Sequence, residues 1–468
     1  MSGIWHWMIL PGLILVDKLK ENVMSTEMYY PPEDIFEAAA DLHFDEALDN
    51  TDPRYVDTLN ARGNFKMREF YRLLHINTSK EPFTLAKRLP ASSYTLFCGH
   101  IGCGKSTELR HAKKILHRPT LFYVIFLDIV KELDPNNLNY ADVLLALAKQ
   151  LFQALEQEKI HIDPILLANL ENWFKERIES HEKTKELAAE IRSEGRFGAG
   201  VPFLTYLFTS MTSFMLSNSK YKQEIRNVIV NSFSQFADAF NQCVLAAEEA
   251  IYKAGKGQRL LFIVDGTDRL RGEDGERFFI KDVHQLTQID GHFIYCSPIH
   301  LSYKTMDIYR SFNVVILPMI KLHDRDKRPL PHNQNVMRDM LFKRFPPQFF
   351  TEPNDLADQL VDYSGGCPRE LIRLLKYAYL EMDGEQLDSQ AVEKGINRLA
   401  VDYKRILETG DYALLAEIDQ PHQAEKNSER IQHFLLNMIV LEYNNYWREP
   451  HPAIRRLPAF QEALTHVV

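Results

Sequence analysis

Gly99-His100-Ile101-Gly102-Cys103-Gly104-Lys105-Ser106-Thr107 is a complete G-x-x-x-x-G-K-[ST] phosphate loop, and Tyr94-Thr95-Leu96-Phe97-Cys98 ahead of it reads as a buried strand. Glycines let the backbone curl so that successive N–H groups face a polyphosphate, and the helix that follows adds its positive N-terminal end. Lys105 supplies a point charge for the β- and γ-phosphates, and the Ser106 hydroxyl is placed to coordinate Mg²⁺. Strand, loop and helix come in the order the motif requires. The chain is therefore expected to bind a nucleoside triphosphate through the loop from Gly99 to Thr107.

Such a site needs a second strand ending in acid, and Arg259-Leu260-Leu261-Phe262-Ile263-Val264-Asp265 provides one. Its apolar run is unbroken, as expected of a central strand covered on both faces of a parallel sheet. Asp265 then emerges at the carboxyl end of the strand, where ligands sit in open α/β sheets, and is expected to hold Mg²⁺. Asp268, three residues on, is the candidate for orienting or deprotonating an attacking water. The plain structural alternatives are a strand-end cap for Asp265 and a solvated turn acid for Asp268.

Together these segments resemble the AAA+/STAND branch of P-loop ATPases, which includes the NACHT and KAP groups and the origin-recognition ATPases. Asp265-Gly266-Thr267-Asp268 is similar to the D-G-x-D-E form of the Walker B motif in NACHT-type ATPases, with Arg269 where the last acid stands. That departure argues against efficient hydrolysis. Phe293-Ile294-Tyr295-Cys296-Ser297-Pro298 lies where such proteins place the sensor 1 strand, and the resemblance gives Ser297 a contact to the γ-phosphate or the water. Gly365-Gly366-Cys367-Pro368-Arg369-Glu370-Leu371 is similar to the turn and helix of the lid, with Pro368 at the first helical position and Arg369 matching the sensor 2 arginine.

The resemblance implies an α/β chain: a P-loop NTPase core over 85–330 with a parallel sheet flanked by helices, interrupted by a large helical insertion over about 156–256. A lead-in over 1–84 precedes it, and a helical lid (331–400) and a helical or winged-helix-like domain (401–468) follow. It further implies an ATP- and Mg²⁺-dependent molecular switch whose turnover is slow or partner-dependent. Its setting would be bacterial signalling or antiviral defence, with a separate protein effector or sensor as partner and ATP-dependent homo-oligomers. Two alternatives are an origin-recognition-like ATPase that binds DNA and a scaffold that keeps nucleotide without turnover.

Composition narrows these readings. With 468 residues, 45% of them hydrophobic, the chain can bury several cores. A formal net charge of −9 disfavours nucleic-acid binding through a global field. The cysteines at 98, 103, 243, 296 and 367 form no C-x-x-C pair, the pattern of a reduced, cytoplasmic protein. The apolar runs Ile4–Val16 and Val201–Leu216 are both short for a bilayer span. Residues 1–23 are expected to be an upstream extension, and 201–216 a buried or partner-facing helix in preference to a membrane contact. A Gly195–Gly200 hinge and a single long helix over about 220–254 complete the insertion. Tyr55 is expected to pack in the core sooner than to stack on a base, and Arg310 and Arg344, the candidates for an arginine finger, to be surface charges.

Overall fold

The computed structural model describes residues 30–63, 65–79, 81–179, 189, 200–270, 273–420, 427–444 and 447–466. At its centre is a five-stranded sheet: β1 (Ser93–Gly99), β2 (Phe122–Asp128), β3 (Arg259–Asp265), β4 (His292–Pro298) and β5 (Asn313–Leu317). All neighbours pair in parallel, in the order β2-β3-β4-β1-β5. The acid-ending strand β3 is thus separated from the loop strand β1 by β4 alone, so both strand ends open on one edge of the sheet. The edge strand β5 is the one strand that sequence reading does not single out.

Alternation along the strands divides their side chains between two covers. Leu96, Tyr123, Ile125, Phe262 and Tyr295 face a core shared with α2 (Tyr140–Gln157), α3 (Pro164–Phe174), α4 (Val201–Ser217) and α6 (Phe233–Lys253). Phe152 of α2 stacks on Phe208 of α4 with centroids 5.6 Å apart. The insertion is therefore one wall of the core: without it the apolar face of a parallel sheet would meet water. Phe97, Phe122, Val124, Ile263 and Ile294 point the other way, onto α1 (Lys105–Leu116), Phe70 and Tyr71 of the lead-in, and Leu441 and Trp447 near the C-terminus.

The expected single helix over 220–254 is two, α5 (Ser219–Asn231) and α6, broken at Ser232. Ser232 leaves helical geometry (φ −126°, ψ 30°) and its hydroxyl donates to the Val228 carbonyl at 2.6 Å, the local side-chain bond by which serine competes with helix continuation. Val201–Leu216 forms the largely buried helix α4, and no described helix is long and apolar enough to cross a membrane. The apolar run at 4–16 and most of the proposed hinge at 195–200 lie outside the described residues.

The segment expected to form the lid comprises α7 (Pro331–Phe342), α8 (Pro353–Tyr363), α9 (Pro368–Leu380) and α10 (Ser389–Lys404). It shares one core with the C-terminal helices α11 (Asp411–Ile418), α12 (Glu429–Leu436) and α13 (Pro458–Leu464). A two-stranded antiparallel hairpin, β6 (Val440–Glu442) and β7 (Arg448–Pro450), completes this region.

Candidate functional site

The phosphate loop leaves β1 at Gly99 and enters α1 at Lys105. Gly102 (φ 80°) and Gly104 (φ 104°) both hold left-handed backbone, which only glycine adopts without strain. Gly102 also lies so close to the lid that a Cβ there would stand 2.4 Å from Arg369 Cβ. Lys105, 3% exposed, donates from Nζ to the carbonyls of Gly99 (3.0 Å) and His100 (2.7 Å) and pairs with Asp268 at 2.8 Å. Burial opposes its charge, but Asp268 outweighs that and holds the ammonium above its ordinary range. Burial likewise opposes ionisation of Asp268, and Lys105 holds that carboxyl below its ordinary value.

Ser106 Oγ donates to Asp265 Oδ1 at 2.8 Å, joining the first turn of α1 to the end of β3. Burial, with Asp268 nearby, pushes the Asp265 carboxyl up to about 6. A hydroxyl and a carboxylate side by side are hard oxygen ligands suited to Mg²⁺, which keeps waters and takes its remaining ligands from phosphate. Ser106 and Asp265 fit that role.

A cavity of about 280 Å³ opens in front of these groups. The core contributes Lys105, Ser106, Thr107 and Asp268; the lead-in contributes Phe44, Tyr55 and Val56; the lid contributes Pro368, Arg369 and Ile372. Arg369 donates its backbone N–H to Gly102 O at 3.3 Å and its guanidinium pairs with Asp45. Tyr55 reaches His111 Nδ1 through its hydroxyl at 3.3 Å while also lining the cavity. Arg269 is exposed at the rim.

Strand order, left-handed loop glycines and the Ser106–Asp265 contact together decide the architecture. The fold is that of a P-loop NTPase. No family model and no curated protein sequence matches the chain. Among solved structures it is similar to the Walker-type ATPase PABY2304 of Pyrococcus abyssi, at 12% identity and a TM-score of 0.40, over 91% of this chain and 99% of that one. It is also similar to the ORC1 protein of Aeropyrum pernix, solved in complex with DNA (11% identity, TM-score 0.30, 81% and 87% of the two chains). A third likeness is to the RuvB Holliday junction branch migration motor of Thermotoga maritima (13%, 0.24, 45% and 70%).

Not every motif residue meets the cavity, and Asp265 is among those that do not line it. Ser297 is fully buried in β4 opposite Cys98, and it is absent from the cavity wall. Cys103 is buried too, its sulfur 4.0 Å from Leu317 O. His100 does not line the cavity: Nδ1 meets Leu435 O at 3.1 Å, and Nε2 accepts from Glu442 N–H at 2.8 Å. Both bonds require the neutral ring protonated at Nδ1, and burial, aided by Lys105, pushes its pKa down to about 3.

Three further residues line the cavity: Arg62 and Glu108, which sequence motifs do not mark, and Arg344, which was expected at the surface. Arg62 is 1% exposed and reaches Cys103 O at 2.7 Å. Glu108, in the first turn of α1, accepts from Thr58 Oγ1 at 3.1 Å. Arg344 is only 6% exposed, bonded to the carbonyls of Arg54 (3.3 Å) and Met340 (2.9 Å). Burial overturns its expected place at the surface, and with it any reach into a neighbouring subunit; Arg310 is exposed and paired with Asp307. Beside a partner four residues away, each also bonds a residue far off in the chain, Cys103 for Arg62 and Arg54 for Arg344, and no local pattern announces those contacts.

Proposed function

We propose that the chain is an ATP-driven molecular switch of the AAA+/STAND type, with nucleotide bound between core, lead-in and lid. The observation that carries this reading is the convergence of Lys105, Ser106, Asp268 and Arg369 on one cavity, with Asp265 bonded to Ser106. In this reading the γ-phosphate draws Lys105 from Asp268 and Arg369 from Asp45. Because Arg369 stands in the first turn of α9, that exchange pulls on the lid. Mg²⁺ held by Ser106 and Asp265 would neutralise charge on the β- and γ-phosphate oxygens.

Once Lys105 turns to phosphate, Asp268 is the carboxylate available to orient a water. Arg269 at the position of a second acid is consistent with slow or partner-dependent turnover. Preference for adenine, homo-oligomers and a separate protein effector follow from the resemblance of the motifs and belong to the same proposal. Solution mass in Mg²⁺, with ADP and with a non-hydrolysable ATP analogue, tests the switch. Assembly with the analogue alone, absent in Lys105→Ala, is the expected result. An unchanged monomer in both nucleotides, with a saturating analogue bound, removes the self-assembling form of the switch.

A further inference from the structure

Arg62 comes from the lead-in, outside the sheet and its helices, yet its guanidinium sits beneath the phosphate loop. Nη2 donates to Cys103 O at 2.7 Å, and Nη1 to Pro318 O, just beyond β5, at 2.6 Å. Nε and Nη2 both donate to Thr58 Oγ1, at 3.1 and 2.9 Å, and that hydroxyl donates onward to Glu108 Oε1. A fork of fixed geometry thus spans the loop, the end of the neighbouring strand and, through Thr58, the first turn of α1.

The contact with Cys103 has a geometric consequence. A trans peptide is planar and sets its C=O and N–H in opposite directions. With the Cys103 carbonyl held by Arg62, the Gly104 N–H of the same peptide is fixed pointing away from the guanidinium. Left-handed Gly104 permits that orientation, and a Cβ there would stand 3.1 Å from Arg62 Nη2. A backbone N–H binds phosphate only if it already faces it, since turning a peptide during binding spends affinity. The guanidinium also lines the same cavity.

We infer that Arg62 is a positioning residue of the nucleotide site, which sets the Cys103–Gly104 peptide for phosphate and places a fixed positive charge beneath the loop. The inference rests on the reading of this cavity as a nucleotide site, and its test separates the two.

The assay is calorimetric titration of the full chain with a non-hydrolysable ATP analogue plus Mg²⁺, and with AMP. It uses the parent, Arg62→Gln, Arg62→Lys and Thr58→Val, with thermal melting to verify folding. AMP reports the nucleoside end, and the analogue adds the phosphates that the loop holds. The expected result for Arg62→Gln is a loss of about tenfold or more in analogue affinity, with AMP within about twofold, so that the ratio of the two collapses. Arg62→Lys, which keeps the charge and loses the fork, recovers part of that ratio. Equal losses for analogue and AMP, or no loss in a folded Arg62→Gln, overturn the inference. Should Arg62→Gln fail to fold, Thr58→Val decides on the same ratio, because it removes the acceptor that fixes the guanidinium. A folded parent that binds neither ligand, or a Lys105→Ala variant that binds both as the parent does, overturns the nucleotide-site reading, and this inference with it.

Discussion

Replacing Asp268 by asparagine should strengthen nucleotide binding while abolishing hydrolysis. The Lys105 ammonium has three N–H groups, and Gly99 O, His100 O and Asp268 take one each at 3.0, 2.7 and 2.8 Å. A phosphate can therefore reach Lys105 with full strength only by displacing a partner, and the side-chain partner is the one free to move. Asparagine keeps an acceptor of the same size but not the charge. The ammonium keeps a hydrogen bond to the amide oxygen and loses the ion–ion attraction, so within the range of about 1.5–3 kcal/mol for bonds to charged groups the competing interaction weakens by roughly 1 kcal/mol. Affinity for a Mg²⁺–ATP analogue should rise by up to about tenfold, since about 1.4 kcal/mol corresponds to that factor. The nucleotide-free protein should melt earlier, because a buried lysine has lost its counter-charge. If Asp268 also orients the attacking water, steady-state phosphate release falls by about 10²–10⁴. Calorimetry, melting with and without nucleotide, and a phosphate-release assay measure the three effects. Binding tenfold weaker than the parent, in a folded variant, would refute the competition; release at the parent's rate would refute the role toward water.

Arg369→Ala should weaken the triphosphate analogue by about tenfold while leaving ADP nearly unchanged, because the guanidinium is assigned to the γ-phosphate; parallel titrations with the two nucleotides check this, and equal binding of both removes the assignment. Asp265 gives a pH dependence of known sign: its carboxyl is raised from 3.8 to about 6 in the unliganded fold, so the fold gains stability from protonation below 3.8 and loses it as pH rises through 6. Mg²⁺ needs the ionised form, so Mg²⁺-dependent affinity should hold above pH 6 and fall with up to one proton's slope below it. Binding measured in excess EDTA should show no such step. His100→Ala unpairs the Leu435 carbonyl and the Glu442 N–H, and hydrogen exchange at Glu442 should quicken by tenfold or more with smaller changes at the sheet strands.

The sheet, the glycine loop and the acid-ending strand were legible because each is encoded within a few consecutive residues. Gly99–Thr107 and Arg259–Asp265 carry their own geometry: glycines where φ is positive, apolar residues where both faces are covered, and a carboxylate where the strand ends. β5 escaped notice because Asn313–Leu317 is a five-residue run following a short polar helix, too brief for periodicity to separate it from a loop. The break at Ser232 was hidden for a related reason, since helical spacing continues across it and one side-chain bond decides the geometry. Ser297 shows the converse error of scale. Its strand is where motif order places it, yet which face of the sheet a side chain takes is a matter of one residue in a period of two.

Long-range bonds made the rest of the site invisible, and they share one pattern. Four successive loop residues are each met from outside the core: His100 by the C-terminal region, Ile101 by the Cys367 sulfur at 4.0 Å, Gly102 by the Arg369 N–H, and Cys103 by Arg62. Each contact is modest alone, of the order of 1 kcal/mol for a neutral hydrogen bond. Joined through a short, planar-peptide chain, however, they cannot shift independently: turning one peptide to meet a phosphate moves the carbonyl that another element holds. Any nucleotide-dependent change in this loop must then be felt by the lead-in, the lid and the C-terminal region together. Linkage makes the relation reciprocal, so a partner that displaces Leu435 or Glu442 from His100 must alter nucleotide affinity by the same factor that nucleotide alters the partner's.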